Sequence, residues 1–197
     1  MRQKYFIRKA HMRDVREIYS LLNFFADRRE LLPRALSEVY ENLQQFFVAF
    51  KGNHMVGCCA LYVTWAGLAE VKALAVKPAH QGQGIGKALL KIVIQEAKRL
   101  GVDTLFTLTI REALFKKFGF RRAKKSALPH KVWTECVRCP YFPDSCIETS
   151  LTLVLSKKKK GANHAAFTRE FMGKSEPMVP SEPKKVVVVP PPPPYRT

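Results

Sequence analysis

Gln81-Gly82-Gln83-Gly84-Ile85-Gly86-Lys87 places three glycines within five residues. The run lies between a stretch that reads as a strand and one that reads as a helix. Glycine has no Cβ and admits backbone geometries closed to other residues. At a helix start, the free N–H groups and the positive end of the helix dipole together make an anion site. Two nucleotide-phosphate loops fail on spacing. The P-loop needs a glycine where Gln81 stands and Ser or Thr where Ala88 stands, and the dinucleotide fingerprint G-x-G-x-x-G is not met by G-x-G-x-G.

The elements that must position this turn follow from periodicity. Tyr5 to Arg8 reads as a short strand, and Met12, Val15, Ile18, Tyr19 and Leu22 have helical spacing. Leu36 to Leu43 continues helically. Gln45 to Lys51 and His54 to Thr64 form two strands around a Gly52-Asn53 turn, a hairpin signal. Ala69 to Lys77 is a strand stopped by Pro78. Gly84 to Leu100 is the clearest helix, with Ile85, Leu89, Ile92, Val93, Ala97 and Leu100 as its stripe and Gly101 at its stop. Val102 to Ile110 reads as a strand, Glu112 to Phe118 as a short helix and Ile147 to Leu155 as a last strand.

The chain has 197 residues, enough for one domain with a real core and too few for two ordinary ones. Two segments are expected, a domain over 1–155 and a tail over 156–197. The tail holds nine Lys or Arg, three Asp or Glu and eight of the thirteen prolines, and it ends in Pro190 to Pro194. It cannot bury enough surface to offset its ordering entropy, so it reads as disordered with a polyproline II end. The net charge of +18 is otherwise diffuse, which suits polyanions such as nucleic acid or a cofactor carrying several phosphates. No basic helix with interleaved aromatics appears, which argues against nucleic acid. No apolar run approaches a membrane span, and the first nine residues lack the apolar core of a signal peptide. A cytoplasmic protein with no membrane partner is expected.

Gln81, Gly84 and Gly86 also satisfy Gln/Arg-x-x-Gly-x-Gly, which resembles the acyl-CoA diphosphate loop of the GNAT superfamily of N-acetyltransferases. The preceding strand Glu70-Val-Lys-Ala-Leu-Ala-Val-Lys-Pro78, the hairpin before it and the amphipathic helix after it occur in the GNAT order. Leu114-Phe-Lys-Lys-Phe-Gly-Phe120 resembles the family's short helix running into a Gly-Phe strand start. The likeness covers roughly residues 4–155. It implies an α/β (α+β) fold with a central, mixed, mostly antiparallel twisted sheet flanked by helices. Leu31-Leu-Pro-Arg-Ala-Leu-Ser-Glu-Val-Tyr-Glu41, Gly57-Cys-Cys-Ala-Leu-Tyr62 and Leu128 to Cys146 further resemble short, stand-alone bacterial N-acetylglutamate synthases. Ala35 departs from the Ser usual there and puts a hydroxyl contact to substrate in doubt.

The resemblance implies acetyl-CoA as co-substrate, L-glutamate as acceptor and a place in arginine biosynthesis, with no metal needed for the chemistry and a homodimer allowed. Gln81, Gly82, Gln83, Gly84, Ile85, Gly86 and Lys87 would hold the diphosphate. Backbone groups of Leu74, Ala75 and Val76 would meet the pantetheine and thioester, and the Leu74 N–H would polarise the carbonyl. Glu70 would be the general base, although pairing with Lys72, which shares its strand face, is an alternative. Arg34 and Lys72 are the first choices for the substrate carboxylates, because arginine donates two parallel bonds to them. Lys131 and Arg138 are further candidates. The short helix near Phe115 lacks the family's frequent tyrosine acid, so CoA would leave as thiolate.

Cys136-Val-Arg-Cys139 followed by Cys146 has metal-like spacing, with His130 as a fourth donor. Reduced structural thiols and a redox pair are the alternatives, and Cys58 and Cys59 read as core. Two other functions stay open: acetylation of another amine, such as a different amino acid or a protein N-terminus, and a basic nucleic-acid- or partner-binding protein.

Overall fold

The computed structural model describes residues 5–125, 128, 136, 139 and 145–156. Lys131, Arg138, His130 and the tail from 157 to 197 lie outside the described residues. Seven strands form one sheet: β1 (Tyr5–Lys9), β2 (Phe46–Lys51), β3 (His54–Trp65), β4 (Leu68–Val76), β5 (Thr104–Thr109), β6 (Arg121–Arg122) and β7 (Thr149–Val154). Their spatial order is β1-β2-β3-β4-β5-β7-β6, and β4/β5 is the one parallel pair among the described residues. Among the described residues, four α-helices accompany them: α1 (Val15–Ala26), α2 (Leu36–Glu41), α3 (Ile85–Arg99) and α4 (Glu112–Lys116). The mixed, mostly antiparallel sheet matches the expected fold class.

Both faces of the sheet are covered, which is why β2 is a nearly unbroken apolar run rather than an alternating one. Phe46, Val48 and Phe50 point to the α1 side, where Val15, Ile18, Leu22 and Phe25 meet Met55, Cys58 and Ala60. Phe47 and Ala49 point to the α3 side, where Ile85, Leu89, Leu90, Val93 and Ala97 meet Val56, Leu61, Val71 and Leu105. Gly52 sits at φ +58 in the β2–β3 hairpin, as the Gly-Asn signal requires. Helix α3 stops in a Schellman motif: the Gly101 N–H donates to Lys98 O at 3.1 Å, and the Val102 N–H donates to Ala97 O at 2.9 Å.

Two stripe assignments are corrected. Met12 is exposed because residues Met12–Asp14 form a 3-10 turn, and the α-helix begins only at Val15. That turn is fixed by Asp14, which pairs with Arg8 at 2.6 Å and accepts the His11 N–H at 2.7 Å. Burial raises the Asp14 pKa, but the bonds and charge of Arg8 and the His11 N–H outweigh it, so the carboxyl titrates below its usual range. Leu100 is also exposed, and Leu90 takes its place in the core.

The feature that opens the sheet lies in β4. Cys58 pairs with Ala75 and Ala60 with Lys72, so β4 carries one residue more than β3 over that interval. Ala73 and Leu74 have no register partner on β3 or β5, and Ala73 stands at φ +53, in the left-handed region. This is a β-bulge built without glycine. The two core cysteines brace it: Cys58 Sγ donates to Ala73 O at 3.5 Å and Cys59 Sγ to Lys72 O at 3.7 Å. On the other edge of β4, pairing with β5 covers only Leu68, Ala69 and Glu70. The strands then part, with the Thr107 hydroxyl donating to Val71 O at 3.0 Å at the point of divergence.

An alanine in the left-handed region costs roughly 1–2 kcal/mol relative to right-handed backbone. Ala73→Gly should therefore leave the protein as stable or up to about 1 kcal/mol more stable, and Ala73→Val should destabilise it by about 2 kcal/mol. Equilibrium urea unfolding of both variants checks this, and equal losses for Gly and Val would contradict it.

Candidate active site

A cavity of about 500 Å³ occupies the gap between β4 and β5. Its walls are β4 from Glu70 to Val76, the end of β5, the turn before α3, the loop from Glu30 to Arg34, and Cys136, Cys139, Cys146 and Glu148. Every described residue proposed from the sequence lines this cavity except Gln83.

The turn before α3 is built to receive an anion. Gly82 and Gly84 adopt φ +73 and +86, and a Cβ added at either would meet nothing within 4 Å. These glycines are therefore required for backbone conformation rather than for space. Gly84 is the N-cap of α3, and no side chain caps the helix. The first helical bond runs from the Ala88 N–H to Gly84 O at 3.0 Å, which leaves the N–H groups of Ile85, Gly86 and Lys87 without intrahelical acceptors. Gln81 and Gln83 shape the turn: Gln81 Nε2 donates to Val76 O at 3.0 Å and Gln83 Nε2 to Ala79 O at 3.3 Å.

At the other end of the cavity, Glu70 is buried and Lys72 Nζ stands 3.3 Å from its Oε2. Lys72 also lies over the Tyr62 ring, 5.0 Å from its centroid. Side-chain alternation predicts this juxtaposition, and the structure makes it an ion pair. Arg34 pairs with Glu38, and its backbone is held by Asn23, which accepts from the Arg34 N–H and donates to Arg34 O, each at 3.1 Å. Ala35 is the N-cap of α2 without a side-chain bond, so the serine usual in the resembled family would stand at a helix cap.

The cavity also contains groups that sequence reasoning missed. Arg111 pairs with Glu30 at 2.5 Å, joining the α1–α2 loop to the end of β5 across the rim. The sequence showed it only as a cation just past a strand, and its place at the cavity rests on the divergence of β4 from β5. Glu148 gave no signal, because the pairing of β7 beside β5 is not readable from local pattern. Burial pushes the Glu148 carboxyl up, against weaker opposing effects of Lys125 and then Lys72. His80 lines the cavity with Nδ1 buried and without a hydrogen-bond partner.

His130, the fourth donor in the metal reading of Cys136, Cys139 and Cys146, lies outside the described residues. The three cysteines line the cavity as free thiols, but among the described residues no group of three or more His, Cys, Asp or Glu is placed to hold a metal ion. Cys146 Sγ accepts a hydrogen bond from Lys125 Nζ at 3.1 Å.

Residues 42–122 match the family described as "Acetyltransferase (GNAT) domain". The chain is 34% identical over 135 residues to an amino-acid acetyltransferase of Mycobacterium tuberculosis, covering 67% of this chain and 77% of that one. Among solved structures it resembles Rv2747 of M. tuberculosis, complexed with CoA, with TM-score 0.68 and 30% identity over 77% of this chain and 99% of that one. It also resembles N-acetylglutamate synthase of Neisseria gonorrhoeae, complexed with coenzyme A and N-acetyl-glutamate. There the TM-score is 0.71 and the identity 26%, over 80% of this chain and 36% of that one.

Two outcomes are expected from this geometry. Gly84→Ala forces a side chain into a left-handed N-cap and should weaken CoA binding about tenfold, equivalent to about 1.4 kcal/mol, measured by calorimetry. For Glu148, a folded pKa raised above the unfolded one means that its ionised form opposes folding. That penalty is absent below the unfolded value and grows as pH rises through the folded one. Glu148→Gln should therefore raise Tm at pH 7, and the gain should vanish near pH 4.

Proposed function

We propose that this chain, which belongs to the GNAT family of acetyltransferases, moves the acetyl group of acetyl-CoA to the α-amine of L-glutamate. One juxtaposition carries the reading. A single cavity joins the uncapped, glycine-built start of α3 to a buried carboxylate, Glu70, and three cations, Arg34, Lys72 and Arg111. Coenzyme A and N-acetyl-glutamate are the ligands of the N. gonorrhoeae neighbour, which supports the same pair here.

Acetyl-CoA supplies an acyl thioester, whose carbonyl accepts attack by a free amine. The amides of Ile85, Gly86 and Lys87 hold the diphosphate, and the positive end of α3 adds to their attraction. Leu74, released from the ladder by the bulge, offers its N–H where charge builds on the carbonyl oxygen. Glu70 takes the proton that the α-ammonium must lose before it attacks, directly or through water. Lys72, with Nζ 3.3 Å from Glu70 Oε2, orients that carboxylate.

Three cavity cations each carry an internal carboxylate partner: Arg34 with Glu38, Arg111 with Glu30 and Lys72 with Glu70. An acceptor with two carboxylates competes for Arg34 and Arg111 while Lys72 stays with the base. Lys131 and Arg138 complete the proposed acceptor set. The engagement of Lys72 by Glu70 favours a second reading, in which an amino acid with one carboxylate, such as glutamine, is the better acceptor. On the first reading the reaction opens arginine biosynthesis in the cytoplasm.

The purified chain, given acetyl-CoA and a panel of amino acids and peptides, should release CoA with glutamate or glutamine. Turnover on peptides with silence on amino acids would overturn the reading. Glu70→Gln should lower kcat at neutral pH by about 10²- to 10⁴-fold, with partial recovery at higher pH as the free amine forms unaided. An unchanged pH profile would remove Glu70 from the mechanism.

A further inference from the structure

The five cysteines fall into two chemical classes. Cys58 and Cys59 are fully buried in β3, and burial pushes the Cys58 thiol up to about 12 and the Cys59 thiol well above its ordinary value. Both donate to backbone carbonyls of the bulge. Cys136, Cys139 and Cys146 are instead half-buried thiols in the wall of the active-site cavity. Acetyl transfer as derived above uses none of them.

Within this second class, Cys139 and Cys146 stand apart. Both also line a side cavity of about 140 Å³, shared with Leu31, Ser145 and Glu148. These two cysteines therefore line both cavities. Lys125 Nζ donates to Cys146 Sγ at 3.1 Å, placing an ammonium where it supports negative charge passing through that sulfur during attack. Cys136 differs in packing against Phe106 and Leu128. Burial, then Glu148 and Cys146, raise its pKa against a weaker opposing effect of Lys125.

We propose that Cys139 and Cys146 are an oxidisable dithiol in the wall of the acceptor cavity, closed to a disulfide by hydrogen peroxide or an organic hydroperoxide. Cys146 sulfur attacks a peroxide oxygen and the O–O bond breaks. Cys146 becomes a sulfenic acid, and one water or alcohol leaves with the thiol proton. Cys139 sulfur then attacks Cys146 sulfur. The S–S bond forms as the S–O bond breaks, and a water leaves with the second proton. Two thiols lose one electron each, and the peroxide gains both. The bridge ties Cys139 to the segment before β7, where Glu148 enters the cavity, and leaves the glycine turn untouched. Oxidation thus lowers kcat/KM for the acceptor and spares acetyl-CoA affinity, a consequence that rests on the cavity being the acceptor site.

The test treats the native full chain with hydrogen peroxide, alkylates the remaining thiols in denaturant, and maps the peptides by mass. The expected product lacks two hydrogens, links Cys139 to Cys146, leaves Cys58, Cys59 and Cys136 alkylated, and reverts with dithiothreitol. Cys136→Ser should keep the same bridge, and Lys125→Met should slow its formation. Full alkylation after peroxide, a bridge through Cys136, or a stoichiometric metal that shields the thiols would each overturn the proposal. An unchanged rate in Lys125→Met would remove the lysine from it. Peptide mapping needs no substrate, so it decides the dithiol even where glutamate proves not to be acetylated. Acceptor kcat/KM unchanged in the bridged protein would overturn the effect on catalysis.

Discussion

The structure depends on one surplus residue in β4. A strand that stayed in register with both neighbours would run Glu70 to Val76 as a closed ladder, with every backbone amide engaged and no gap beside β5. The bulge at Ala73 prevents this. It shifts the pairing with β3 by one residue and leaves Leu74 without a register partner. Parallel pairing with β5 has already ended at Glu70, so the sheet opens into a wedge between β4 and β5. The cavity is the volume of that wedge. The strain of a left-handed alanine is retained because the surroundings hold it: two buried thiols grip the carbonyls of the bulge, and Thr107 ties Val71 to the diverging strand.

That opening brings together two regions with different electrostatic logic. Near α3 the positive potential comes from backbone amides and a helix end, with glycine supplying the conformation and little side-chain chemistry. Near Glu70 the potential comes from paired side chains. Arg34, Lys72 and Arg111 face a cavity in a chain of net charge +18, yet each is matched to a carboxylate within the fold. Such pairing lowers the cost of holding several cations beside one cavity. On the proposed reading, it also makes selectivity a competition between internal and incoming carboxylates.

The glycine turn and the order of elements around it were legible in the sequence because both are local. Three glycines in five residues have few uses at a helix start, and the amphipathic period of α3 is carried by consecutive residues. Strand boundaries read from the sequence lie within one or two residues of those found for β1 to β4. The failures were also local in origin. Met12 fits a helical period but precedes the helix, because Asp14 uses its carboxylate to close a turn first. The two-residue β6 is too short to carry any period.

Sequence alone determined the class of the chain and the place of the glycine turn at the start of α3, since glycine conformation and helix starts are properties of a few adjacent residues. It also placed Glu70, Lys72 and Arg34 among the candidates. Only the tertiary structure decided which of these meet, that Lys72 is bound to Glu70, and that Arg111 and Glu148 join the cavity from distant segments. It also decided that Cys136, Cys139 and Cys146 line the same cavity. The reason is physical: divergence of two strands and closure of a cavity depend on pairings between residues dozens of positions apart, and no local period records which strand a segment will lie beside.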